Sequence, residues 1–445
     1  MTLSSPTSGD PIGAGAHVPR GRDRLTGDQI RGFLAAWGGW ALDGMDSFIY
    51  ALVMVPALRE LLPRSGHAAS TAMVGFYGGL LFALFLIGWG LAFLWGPIAD
   101  KYGRVFTLML TIIWYSVFTL AGAAATQVWH LAVFRLLAGI GIGGEWAMGG
   151  TYIAEAWPES RRVSGGALMH TGYYFGILIA GVLNSVVGSR YGWRAMFVAG
   201  AAPALLVALV RYGVAEPARW REKVQVVRRW SLWRPFAVLF TREYRWRTLL
   251  NSFFMLVSVA GLWAGSVYVP AGMTAIAERN NISPSIANTL ASYATVILSA
   301  STILGCVAAS WLVGWIGRRW ALALYFILML NAIVFTFGYA FYQPGAKGLM
   351  TYALSLIALG FGGANFAVYT IWLPEQYPTE CRASAFAFAT SFARFGGAGI
   401  TFLVGAGVAH YGSIGYPVAL TALAFIPGIL LLPFGFETRG RGLPE

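Results

Sequence analysis

YIAEAWPESRRVS (152–164) and WLPEQYPTECRAS (372–384) are two versions of one motif, 220 residues apart. Glu155 matches Glu375, Pro158 matches Pro378, Arg162 matches Arg382 and Ser164 matches Ser384. An aromatic residue precedes the proline each time, Trp157 and Tyr377. A second pair, DKYGRV (100–105) and GWIGRR (314–319), repeats at a shift of 214, and at that shift Pro56 falls on Pro270. The chain therefore reads as a duplication.

The duplicated unit follows from composition. Of 445 residues, 57% are hydrophobic and 11% charged, against about 25% charged in a soluble domain. Apolar stretches recur at 30–56, 73–95, 105–125, 130–153, 164–187 and 193–212, then at 246–268, 286–309, 320–341, 347–370, 383–406 and 415–435. Each approaches the ~20 residues that cross a hydrocarbon core as a helix. The 56 glycines suit close helix approach in lipid. The expected fold is all-α: twelve transmembrane helices in two pseudo-symmetric six-helix bundles. Parallel repeats of this kind belong to carriers that rock about a site between their halves.

The net charge of +13 raises nucleic acid as a partner, but its distribution points to topology instead. With both termini cytoplasmic, 23 of 31 Lys and Arg fall in cytoplasmic segments and six outside (Arg59, Arg64, Arg190, Arg194, Arg279, Lys347). Arg135 and Arg394 lie within spans. This is the positive-inside bias of a multi-pass inner (plasma) membrane protein. Its partners are then the lipid bilayer, protons and a small molecule, with no nucleic acid, and the chain is expected to be a monomer. Cys306 and Cys381 offer neither a disulfide nor metal spacing.

The expected organisation is a flexible cytoplasmic tail (1–28), a first bundle (29–212), a linker (213–243), a second bundle (244–436) and a cytoplasmic tail (437–445). In the linker, basic residues alternate with Trp220, Trp230 and Trp233. That pattern predicts an amphipathic helix lying on the inner leaflet.

Charges inside spans are costly, and they mark sites. Asp43, Asp46 and Tyr50 stand at i, i+3 and i+7, on one helical face. Two carboxylates so close cannot both ionise comfortably in low dielectric, so a shared proton is expected. Glu145 lies ten residues after Arg135, about 15 Å along a helix, too far for a pair between them. Asp43 or Asp46 is the natural partner of Arg135, either as a static bridge or as a coupling pair. The repeat sets Asp43 and Asp46 against Val257 and Ala260, Glu145 against Asn365, and Tyr174 against Arg394. One half thus holds acids and the other an arginine, whose fork matches a carboxylate. His170, Tyr173, Tyr174, Asn365 and Tyr369 are candidates to line the same cavity. His170 is either a proton relay or a hydrogen-bonded structural residue. Trp146, Trp263 and Phe366 are candidates to stack on an aromatic substrate.

GPIADKYGR (96–104) resembles the G-x-x-x-D-[RK]-x-G-R loop of the major facilitator superfamily. FRLLAGIGIGGEW, YIAEAWPESRR and PEQYPTECRAS extend the likeness, which covers about 30–436. LDGMD in span one and GIGGEW in span four resemble the metabolite:proton symporters, which include sialate, aromatic-acid, nicotinate and monocarboxylate carriers. The resemblance implies that Asp100, Arg104, Glu155, Arg162, Glu375 and Arg382 gate the cytoplasmic side. Gly314 stands where the second loop would carry its aspartate, so a one-sided charge lock is expected.

The expected function is proton-coupled import of a small organic carboxylate by alternating access. Arg394, Tyr50, His170, Tyr174, Asn365 and Tyr369 would bind substrate, while Asp43, Asp46, Glu145 and Arg135 handle protons. The coupling ion is the proton, with no cofactor or metal. A proton-driven exporter of drugs or metabolites and a non-transporting ligand sensor are the alternatives. An enzyme is not expected, since no phosphate loop or nucleophile–base pair appears.

Overall fold

The structure, a computed structural model, describes residues 25–211, 213–228, 231–266 and 268–444. The expected tail therefore lies outside the described residues up to position 24, and Trp230 lies outside them as well. Thr26 caps the first helix, which begins at Gly27, three residues before the expected stretch, through a capping box. Its hydroxyl accepts the Gln29 N–H, and its own N–H donates to Gln29 Oε1.

The first bundle contains α1 (Gly27–Arg64), α2 (Thr71–Leu91), α3 (Trp95–Tyr102), α4 (Arg104–Ala123), α5 (Val128–Ala156), α6 (Glu159–Leu183) and α7 (Ser189–Arg211). Here α2 and α3 are two parts of one span joined by a 3-10 turn. The linker forms α8 (Ala218–Arg228) and α9 (Arg234–Leu239). The second bundle contains α10 (Arg245–Ser266), α11 (Val269–Arg279), α12 (Pro284–Ile316), α13 (Arg318–Ile333), α14 (Gly345–Gly363), α15 (Asn365–Trp372), α16 (Arg382–Tyr411), α17 (Gly415–Leu420) and α18 (Phe425–Leu431). Among the described residues ten helices are long and apolar enough to cross a membrane. The sixth and seventh places of the twelve are taken by α7 and α10.

The seventh span, expected over 246–268, is α10, and α11, beyond the expected span, starts on Val269–Pro270. Proline is favoured in a first helical turn, where its missing N–H costs nothing. The tenth, expected over 347–370, is interrupted at Ala364 between α14 and α15, after Gly360, Gly362 and Gly363.

Within the first bundle α1 packs on α6, and α5 packs on α2 and α4. Close approach depends on glycine: a Cβ on Gly44 or Gly176 would run into the backbone of the facing helix. The halves meet where α2, α3 and α5 face α16, and where α6 faces α12 and α15.

Within the linker, α8 contacts both halves of the protein. Trp220 is buried, and its Nε1–H donates to the Asp100 carbonyl at 2.8 Å. Lys223 reaches Glu380 of the second half at 3.6 Å. Trp233 and Phe240 of this segment are exposed. The last residues are also docked: Thr438 donates to Glu375, and Arg382 donates to the Pro444 carbonyl at 3.1 Å. Both described ends of the chain thus lie at one end of the bundle.

Candidate substrate, proton and gate sites

At the end that carries the termini, the repeated motifs interlock. Arg104 forks onto Glu155 through Nε and Nη2 at 3.0 and 2.9 Å. Its counterpart Arg318 forks onto Glu375 at 2.8 Å from both nitrogens. Each glutamate then takes an arginine from the opposite half. Arg382 reaches Glu155 at 2.6 Å, and Arg162 reaches Glu375 at 3.4 Å. All six side chains are buried, where charges persist only when paired. Asp100 adds a contact that has no counterpart. It accepts from the Ala383 and Ser384 N–H groups at 3.2 and 2.9 Å and from the Ser384 hydroxyl at 2.6 Å. It thereby caps the positive end of α16 while pairing with Arg104 at 3.2 Å.

The one-sided lock expected from Gly314 is therefore half right. The aspartate contact is one-sided, but the glutamate–arginine pairs are reciprocal across the halves.

Two glycines position the gate arginines. Gly103 and Gly317 adopt φ of 123° and 89° at the starts of α4 and α13. That region suits glycine, and a Cβ there would meet the carboxylates of Glu216 and Glu437. These acids were missed in the sequence. Glu216 accepts the N–H groups of Arg104, Val105 and Phe106 at 2.8, 2.9 and 3.1 Å. Glu437 accepts those of Arg318 and Arg319 at 3.1 Å each. Each satisfies the open donors of a helix start. The signal was available, since both follow the last span of their half, 221 residues apart. Burial pushes the Glu216 carboxyl above its ordinary range, against the three N–H donors that favour its charged form.

Deeper in the first bundle, Arg135 pairs with Asp46 at 3.4 Å. Its guanidinium lies between the rings of Tyr50 and Phe85, 4.7 and 4.6 Å from their centroids. Thr119 donates to the other Asp46 oxygen at 2.9 Å. Thr111 donates to Glu145 at 3.2 Å. Asp43, Asp46 and Glu145 are all fully buried.

A cavity of about 990 Å³, including the part open to solvent, lies between the halves, outward of the gate. Phe48, Phe82, Leu298 and Met329 give it an apolar wall with the rings of Tyr173 and Tyr174; Ser47, Ser266, Thr295, Ser299 and Thr302 add aliphatic hydroxyls. Arg394 is buried on α16 with its guanidinium 4.1 Å from the Trp89 ring centroid. Tyr173, Tyr174 and His170 lie within electrostatic reach of it.

Of the predicted substrate contacts, the cavity wall includes Tyr174 but not Arg394, Tyr50, His170, Asn365 or Tyr369. Tyr50 is committed to Arg135. Tyr369 shares a 2.9 Å hydrogen bond with Ser258 on α10, and Asn365 donates to Gly362 at 3.0 Å. His170 stacks on Phe366 and also meets Trp40 and Trp146. With Phe386 these rings fill the space between cavity and gate, and Trp146 donates to Thr370 across the halves at 2.8 Å. Trp146 and Phe366 thus pack on protein; the Trp263 side chain lies outside the described residues.

Two helical bundles around a central cavity, closed at one end by reciprocal ion pairs, define a membrane carrier and not an enzyme. The chain belongs to the Major Facilitator Superfamily, whose family description matches residues 36–401. It is 29% identical over 424 residues to the probable 4-methylmuconolactone transporter of Cupriavidus pinatubonensis, covering 93% of this chain and 91% of that one. It is 26% identical to the niacin transporter NiaP of Acinetobacter baylyi, covering 91% and 93%. Among solved structures, the proton:xylose symporter XylE of E. coli superposes with a TM-score of 0.76 at 20% identity, covering 93% and 97%.

Proposed function

We propose that the protein imports a small organic carboxylate together with protons across a bacterial inner membrane, with its termini in the cytoplasm. The observation that carries this reading is Arg394, a buried cation within electrostatic reach of Tyr173 and Tyr174, which line the cavity. Across from it stands a half whose intramembrane charges include three acids. The relatives' names support the substrate class, since niacin is a carboxylic acid. The basic excess at the gate end supports the orientation.

In this scheme the outward-facing cavity admits the anion, and the Arg394 fork draws its carboxylate inward. Protons entering at Asp43, Asp46 or Glu145 compensate the charge. Neutralising Asp46 weakens its hold on Arg135, and that change is transmitted along α1 and α5 toward the gate. A monoanion moving with one proton is electroneutral, so each pH unit supplies about 1.4 kcal/mol. A second proton would add about 2.3 kcal/mol per 100 mV of membrane potential.

Proteoliposome uptake of lactate, nicotinate, hydroxybenzoates and sialate, with and without an inward proton gradient, tests the scheme. Uptake of at least one acid should rise with the gradient, and Arg394→Ala should weaken its binding tenfold or more. Gradient-independent uptake removes the symport claim, and unchanged affinity in Arg394→Ala removes the anion clamp.

A further inference from the structure

The carboxylate reading leaves the far side of the cavity unexplained. On α12, Thr295, Ser299 and Thr302 stand at i, i+4 and i+7, and all three line the cavity. Two of the hydroxyls are already spent as donors. Thr295 donates to the Ala291 carbonyl at 3.0 Å, and Thr302 donates to the Leu298 carbonyl at 2.8 Å. A hydroxyl has one hydrogen to give and two lone pairs to receive. What these threonines offer the cavity is therefore acceptor capacity.

The opposite wall adds a second observation. Ser47 on α1 and Tyr173 on α6 both line it, and their side-chain hydroxyls interact with one another.

Depth orders these groups. Arg394 lies 12 residues, about 18 Å, from the gate end of α16. On α12 the corresponding distances are about 21 Å for Thr302, 25 Å for Ser299 and 31 Å for Thr295. The hydroxyl row thus starts just outward of the arginine and runs toward the cavity mouth. A ligand anchored by its carboxylate on Arg394 would lay its body along the aromatic wall and its far end against this row.

We propose that Thr295, Ser299 and Thr302 form a specificity row that selects carboxylates whose far end carries a hydrogen-bond donor, an O–H or N–H group. The proposal rests on the carboxylate reading above, and its test separates the two. Proteoliposome uptake is compared for 4-hydroxybenzoate, benzoate and 4-methoxybenzoate, the last having an oxygen but no donor. The wild type should favour 4-hydroxybenzoate over both others by about tenfold in Vmax/KM. Combining Ser299→Ala with Thr302→Val should bring that ratio close to one. Thr302→Ser, which keeps the acceptor, should preserve it and controls for misfolding. Uptake of all three acids without preference, or a preference that survives the double variant, overturns the specificity row and leaves the carboxylate reading standing. Uptake of none of them overturns the specificity row, while the carboxylate reading is then decided by the wider panel of acids above.

Discussion

The pair of Arg135 and Asp46 has the properties of a switch, because its geometry is incomplete. One nitrogen meets one oxygen at 3.4 Å, and the rest of the guanidinium is held by two rings. A bidentate bridge would be harder to open. Asp46→Asn should therefore abolish pH-driven accumulation while counterflow exchange of substrate, which needs no net proton movement, continues. Accumulation undiminished in Asp46→Asn would take Asp46 out of the coupling path, and retained exchange shows that the variant has folded. The acids and Arg135 were legible because a charge in an apolar run stands out in any single sequence. Their partners were not. Helical spacing put Tyr50 on the face of Asp43 and Asp46, but it gave no means of telling a ring that meets substrate from a ring that covers Arg135. The same holds for Asn365, Tyr369 and His170, since a polar residue in a span shows its cost and not its partner. Thr119, the other support of Asp46, left no signal at all.

At the level of elements, composition pointed to a helix in the linker but not to its contacts. Arginines interleaved with tryptophans describe a helix on lipid as well as a helix docked on a polar loop. The Trp220–Asp100 bond is a contact that only the structure supplies. The helix-capping acids sharpen this. Glu216 holds the start of α4 from the linker, and Glu437 holds the start of α13 from the final segment. Because burial raises the Glu216 carboxyl, the folded protein binds its proton more tightly than the unfolded chain does. The stability tied to that proton is present at low pH and lost as pH rises through the raised value. Glu216→Gln, which keeps an acceptor for the cap and carries no charge, should melt no lower than the wild type at pH 7 to 8. Glu216→Ala, which removes the cap, should lose about 1–2 kcal/mol. Thermal melts of both variants between pH 5 and 8 test this, and a Gln variant that melts as low as the Ala variant would show that the carboxylate charge is what holds the cap.

Across the whole molecule, the duplication was the most legible feature, because the same motif had to appear twice. What the repeat could not show is that its two copies serve each other. Glu155 and Glu375 each keep one arginine from their own half and take one from the other, so the closed gate is a pair of exchanged contacts about a pseudo-two-fold axis. Breaking one exchange should leave the other in place and shift the balance between closed and open forms without unfolding either bundle. The shift can be read at Ala387, which is buried on α16, where a Cβ on Gly96 of the facing half would touch it. In a background with Cys306 and Cys381 replaced, Ala387→Cys should react slowly with maleimide while the gate is shut. Adding Arg382→Ala removes the 2.6 Å contact and should speed labelling about tenfold, equivalent to about 1.4 kcal/mol of shifted equilibrium. Arg162→Ala breaks the 3.4 Å contact and should act in the same direction but less strongly. If the two exchanges act independently, their effects multiply in the double variant. If they form one cooperative lock, the first substitution alone gives nearly the full increase. Labelling that neither arginine changes would mean that Asp100 and the aromatic layer beneath it hold the halves together, and that the reciprocal pairs only align them.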